Sequence, residues 1–222
     1  MKRPTALWLL ALIGCTSSKD ASTGDDDDDD VTTSDTDLDT GTDTSTDTAT
    51  NRTGPYGPPN AWWHADAADV PPGLGEDGSL GLGYRPPNLT YTDQNGDRVA
   101  LYQFYGRPVQ LSITASWSAP GQDLAVDLAA VSAQLDADGI QVIELLVENV
   151  DGRPPGPSDA TTYADAFGSP HPVLAVDDTR LEAWVQEAQN NFPITPILDP
   201  ELRVVVERNL PFDEALLRSH AP

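Results

Sequence analysis

The chain has 222 residues and a formal charge of -24, from 36 acidic against 12 basic residues. That imbalance argues against nucleic acid and anionic lipid surfaces as charge-held partners, because both are polyanions. A single cysteine, Cys15, excludes an internal disulfide.

Lys2 and Arg3 precede an apolar run from Ala6 to Ile13, closed by Gly14 and then Cys15. This is the layout of an export signal with a processing site, and residues 1–14 are read as one. The run falls well short of the about 20 apolar residues that a spanning helix needs. Leu12-Ile13-Gly14-Cys15 resembles the bacterial lipobox. The resemblance implies that Cys15 is acylated and becomes the first mature residue, tethering a bacterial envelope protein to the membrane through its N-terminal lipid. Thr16, in place of an Asp beside the cysteine, implies an outer-membrane lipoprotein facing periplasm or cell surface. The competing reading is an ordinary secretory signal that leaves Cys15 unmodified.

Residues 15–53 are almost entirely Asp, Thr, Ser, Gly and Ala, including the run Asp25 to Asp30. No apolar periodicity supports a core here, so the segment is expected to be a disordered, charge-extended tether. Asp35, Asp37 and Asp39 alternate like the start of a calcium loop, but the Gly at the sixth position and the distal Glu are missing. Residues 54–87 are rich in Gly and Pro and contain Trp62-Trp63, which suggests a strap packed on the domain. Trp63 beside His64 could instead contact a ligand.

Residues 88–222 are the size of one domain. Strands are predicted at Leu89 to Thr92 and Val99 to Leu101, joined through Asn95-Gly96, a strong hairpin signal. Val109 to Thr114 reads as a buried strand. Leu124, Leu128, Val131 and Leu135 recur at helical spacing over Ala119 to Ala137, and Gly139 stops that helix. Val142, Ile143, Leu145, Leu146 and Val147 mark a strand covered on both faces. A short helix around Ala160 to Phe167 and a strand at Val173 to Val176 follow. Thr179 with Glu182 suggests a capping box for a helix through Gln189. Ile194 to Leu198 and Val204 to Glu207 read as a hairpin turning at Asp199, and Pro211 to Arg218 as a last helix. Alternating strands and helices with a terminal hairpin imply an α/β fold, a central mixed β-sheet flanked by helices.

Three segments of this domain resemble the thioredoxin-like superfamily, in its redoxin and TlpA-type branch. They are Pro87-Asn88-Leu89-Thr90 through Gly106-Arg107-Pro108-Val109, with an N-terminal β-hairpin; Ala115-Ser116-Trp117-Ser118-Ala119-Pro120-Gly121; and Phe192-Pro193-Ile194-Thr195 leading to Leu198-Asp199. The resemblance implies that the second segment is the active-site turn and that Pro193, or less favourably Pro196, is the family's cis-proline. Ser118 and Gly121 stand where the Trp-Cys-x-Pro-Cys turn carries its two cysteines.

The family's chemistry needs a thiolate at a helix N-terminus and a second thiol to resolve the mixed disulfide. A serine hydroxyl supplies neither, so Ser118 is expected to cap the helix instead. No hydrolytic base is legible beside it, because His64, His171 and His220 are scattered without a supporting motif. They also lack metal-ligand spacing, and no cofactor is expected. The expectation is a redox-inactive thioredoxin-like domain acting as a binding or scaffolding module for an envelope protein or an extended peptide. Trp117, Phe192 and Pro193 are its candidate contact residues, unless they only preserve the fold. The alternatives are a thiol-disulfide oxidoreductase or peroxidase-related protein working with a partner's cysteines, and a calcium-binding stalk.

Overall fold

The order of the elements follows the hydrophobic pattern, with short departures at their ends. The computed structural model describes residues 52–75, 77, 81–187 and 191–221. The export signal, Cys15 and the acidic tether up to residue 51 lie outside the described residues. A two-stranded antiparallel ribbon, β1 (Arg52–Gly54) and β2 (Gly57–Asn60), comes first. Next are β3 (Thr90–Asp93), β4 (Arg98–Ala100), a 3-10 turn (Leu101–Phe104), β5 (Val109–Ala115), α1 (Ala119–Ala137) and β6 (Gln141–Glu148). The chain continues through α2 (Pro157–Phe167), β7 (Val173–Ala175), α3 (Glu182–Glu187), β8 (Ile197–Leu198), β9 (Val204–Val206) and α4 (Glu214–Arg218). No helix among the described residues is long and apolar enough to cross a membrane.

Seven strands form one mixed sheet in the order β4-β3-β7-β6-β5-β8-β9. β5, β6 and β7 are parallel, and the strands outside them run antiparallel to their neighbours. Asn95-Gly96 turns the β3–β4 hairpin with Gly96 at φ +87°. Asp93 Oδ1 accepts hydrogen bonds from the amides of Asn95 and Asp97, which satisfies the turn internally.

Every residue of β5 is buried, so both of its faces are covered. Val109, Leu111, Ile113 and Ala115 join one core with Ile143 and Leu145 of β6 and Leu174 of β7. The aromatic side chains of Tyr56, Trp62, Trp63 and Trp184 pack on that core. On the other face α1 and α2 bring Leu124, Leu128, Leu135, Ala160 and Tyr163 against Val142 and Leu146. The residues of β5 that alternate toward this second face are Gln110, Ser112 and Thr114, all fully buried. Glu144 pairs with Ser112 across the β5–β6 ladder and is fully buried as well.

Local chemistry explains where the boundaries differ from expectation. α2 begins at Pro157, before Ala160, because Pro157 fits a first helical position and Asp159 Oδ2 accepts from the Gly156 amide. α4 starts at Glu214, after Pro211, since Asp213 Oδ1 caps it by accepting from Leu216 N–H. β8 contracts to two residues: Pro193 and Pro196 have no N–H to offer a ladder, and Ile194 makes only an isolated bridge to Ile113. α3 starts at Glu182 and is described to Glu187; residues 188–190, toward the expected end at Gln189, lie outside the described residues.

Strap and loop are tied to the sheet by polar contacts. Trp62 Nε1–H donates to Asp93 Oδ2 at 2.6 Å, and Asn60 Nδ2 donates to Arg98 O at 2.9 Å. Tyr91 OH donates to Asp178 Oδ1 at 2.9 Å, and Arg180 Nε donates to Asp178 Oδ2 at 2.6 Å. Partial burial by itself would raise the Asp178 carboxyl. The hydrogen bonds from Arg180 and Tyr91 outweigh it and hold the group below the ordinary carboxylate range.

A depressed folded-state pKa contributes stability that is present above the unfolded value, about 3.9, and is lost as pH falls through the folded value. Asp178→Asn is therefore expected to be less stable than wild type at neutral pH, with the difference shrinking as the solution is acidified below that value. Urea unfolding across pH checks this; a difference independent of pH would contradict it.

Candidate functional site

The turn between β5 and α1 meets the loop between α3 and β8. Ile113 and Ile194 exchange both backbone hydrogen bonds, at 2.8 and 2.9 Å, which holds the loop against the sheet. The Phe192–Pro193 peptide in that loop is cis, as is Leu210–Pro211. Ser118 is the N-cap of α1: its Oγ accepts from Gly121 N–H at 3.2 Å and donates to Phe192 O at 3.3 Å. Both hydrogen-bonding roles of the hydroxyl are committed, and the residue is buried. Its proton goes to a backbone carbonyl and not to a base.

Gly121 is closed in a different way. A Cβ built there would collide with Thr114 Oγ1 and stand 3.3 Å from the Ser118 side chain. The space that a second cysteine would need is filled from β5. The single cysteine of the chain is at position 15, so the domain has no cysteine pair on which thiol–disulfide exchange could run.

The three candidate contact residues differ in accessibility. Phe192 and Pro193 are buried. Trp117 is 46% exposed, meets Phe192 edge-on at 5.9 Å between centroids and donates from Nε1 to Glu148 Oε2 at 2.6 Å. Glu148 also borders a cavity of about 400 Å³ whose wall includes Val147, Val176, Leu181, Val185, Asp178 and Glu182. Exposed aromatic surface and a half-apolar, acidic hollow thus share one residue.

His171, in the segment just before β7, is 3% exposed. Its Nδ1 is 3.0 Å from Ser132 Oγ on α1, and its Nε2 is 2.9 Å from Glu144 Oε2 on β6. Glu144 Oε1 and Ser112 Oγ are buried without a hydrogen-bond partner among the described residues. Burial, reinforced by the charge of Glu144, pushes the Tyr163 hydroxyl far above its ordinary range. Two signals for this cluster stood in the sequence: Glu144 interrupts an apolar strand, and Ser132 sits four residues after Leu128 on the apolar stripe of α1. A buried carboxylate requires a partner, though the sequence does not say which. Among the described residues no three His, Cys, Asp or Glu side chains converge as a metal site.

No family model and no curated protein matches this chain. Solved structures do. A thiol:disulfide interchange protein from Bacteroides sp. is 17% identical with TM-score 0.51, covering 63% of this chain and 88% of its own. A Chlorobium tepidum chain described as a thiol:disulfide interchange protein DsbE is 22% identical with TM-score 0.50, covering 63% and 95%. An uncharacterized conserved protein from Geobacillus kaustophilus is 17% identical with TM-score 0.50, covering 67% and 88%. At these identities the likeness is one of fold: a thioredoxin-like mixed sheet flanked by helices, with the cysteine content reduced to one.

Overpacking typically costs about 1–3 kcal/mol. Gly121→Ala is expected to destabilise the domain by roughly that amount, and by clearly less in a Thr114→Ala background where the obstructing oxygen is gone. Denaturant midpoints of the four proteins in this cycle measure the coupling; additive effects would contradict the steric account.

Proposed function

We propose that this chain is a lipid-anchored envelope protein whose thioredoxin-like domain binds an extended polypeptide instead of exchanging electrons with it. The observation that carries the reading is the state of the old catalytic turn. Ser118 is spent on capping α1 and holding Phe192 O, Gly121 is packed against Thr114, and Trp117 alone remains exposed beside the hollow at Glu148. An aromatic side chain next to a concave, partly apolar wall suits recognition, since it supplies contact area at low entropic cost. Glu148, Asp178 and Glu182 at that wall favour a segment carrying Lys or Arg.

The anchor rests on the lipobox-like residues ending at Cys15, with residues 15–53 as tether, 54–87 as strap and 88–222 as the binding domain. In this arrangement an acidic tether repels an anionic membrane surface and keeps the domain away from it. The protein works on the envelope side of export, as an outer-membrane lipoprotein.

Purified protein is expected to leave insulin disulfides unreduced in the presence of a suitable reductant; turnover would favour redox work with a partner's cysteines. A short Lys-rich peptide should perturb the Trp117 indole resonance while its Glu-rich counterpart does not, and Trp117→Ala should weaken binding about tenfold or more, within the range for an aromatic anchor. Equal binding of both peptides would refute the recognition surface. Cys15→Ser should move the protein from the membrane to the soluble fraction of exporting cells and abolish incorporation of labelled fatty acid; an unchanged distribution would remove the anchor.

A further inference from the structure

Away from the Trp117 surface, on the opposite end of α1, the domain holds a cluster that the binding role does not use. Ser132 Oγ, the His171 ring and Glu144 Oε2 lie in a row at 3.0 and 2.9 Å. In the tautomer with the proton on Nε2, His171 donates to Glu144 Oε2 and Nδ1 accepts from the Ser132 hydroxyl. Nucleophile, base and orienting acid are thereby in hydrogen-bond reach in the required sequence of roles. Glu144 is fully buried on a central strand, so the ring is held by a rigid element.

Ser132 and His171 open onto a cavity of about 270 Å³ walled by Trp62, Trp63, Arg107 and Asp136. Asp136 follows Ser132 by one helical turn and so shares its face. Arg107 Nη1 donates to Asp136 Oδ1 at 2.6 Å, and the guanidinium lies 4.3 Å over the Trp63 ring. The Arg107 guanidinium is thus fixed at Asp136, itself one helical turn from Ser132. The backbone amide of Ser132 lies inside α1, and the Arg107 guanidinium, in the wall of the same cavity, is assigned to the developing oxyanion.

We propose that Ser132, His171 and Glu144 form a nucleophilic relay that hydrolyses small acyl esters in the cavity walled by Trp62, Trp63 and Arg107. The volume, about 270 Å³ and just below the about 300 Å³ at which drug-sized ligand cavities begin, suits a short acyl group. Ser132 Oγ adds to the ester carbonyl carbon as its proton passes to His171 Nδ1. The C–O bond to the leaving alcohol then breaks, and the alcohol departs with the proton from His171. Water adds to the acyl carbon, again giving its proton to His171; the acyl–Ser132 bond breaks, a carboxylic acid leaves, and Ser132 recovers the proton. Glu144 Oε2 accepts from the imidazolium in both halves.

The full chain is to be mixed with p-nitrophenyl acetate and, separately, with a fluorophosphonate probe followed by peptide mapping. Expected are a nitrophenolate burst stoichiometric with protein, probe attachment at Ser132, and a loss of about 100-fold or more in kcat/KM for Ser132→Ala and His171→Gln, the usual contribution of such groups. Arg107→Met should lower kcat and spare probe attachment in part. Thermal unfolding of each variant separates loss of chemistry from loss of fold, and labelling is read on the unmodified chain, so that arm survives a variant that fails to fold. Absent labelling, labelling at another serine such as Ser118, or hydrolysis equal to that of Ser132→Ala would overturn the proposal and leave the row as an internal brace.

Discussion

A strand buried on both sides constrains everything else in this molecule. β5 lies inside the seven-stranded sheet between β6 and β8, with all seven of its residues buried. Its two faces are chemically opposite: Val109, Leu111, Ile113 and Ala115 build the core beneath the strap and α3, while Gln110, Ser112 and Thr114 look toward the helical face. An unmade hydrogen bond at such depth costs about 1–3 kcal/mol. Of the three, Gln110 is paired, while Ser112 Oγ and Thr114 Oγ1 are buried without a hydrogen-bond partner among the described residues. Asn209 Nδ2 donates to Gln110 Oε1 at 2.8 Å, and Gln110 Nε2 donates to Leu111 O at 2.9 Å.

The same strand governs the turn between β5 and α1. Thr114 fills the volume that a side chain at 121 would occupy, and Ile113 bonds the cis-proline loop so that Phe192 O comes within reach of Ser118. Serine retains the capping function of the first position, and that suffices to start α1 where the fold needs it. What the turn still offers to solvent is Trp117, steadied by Glu148 and Phe192.

Glu144 extends the polar face of β5 onto its parallel neighbour and fixes His171 and, through it, Ser132. The row joins β6, the segment before β7 and α1, three elements that the strand–helix–strand crossover brings together. Its Ser132 end is reached from a cavity whose aromatic wall belongs to the strap, so residues 54–87 contribute to shaping a site as well as to covering a core.

Sequence alone settled whatever depends on a short window or on composition. The stripe of Leu124, Leu128 and Leu135 predicts α1, Asn95-Gly96 predicts the hairpin, and the lone cysteine rules out a thiol pair, because periodicity, turn chemistry and residue type are local properties. Resemblance in three separated segments pointed to the superfamily fold. Only the tertiary structure decided which residues face each other. Ser132 and Glu144 lie 39 and 27 positions from His171, Thr114 meets Gly121 across a strand and a turn, and Phe192 is buried where Trp117 is not. Those outcomes follow from sheet register and helix docking, which sum contacts over the whole chain and leave no trace in any one window.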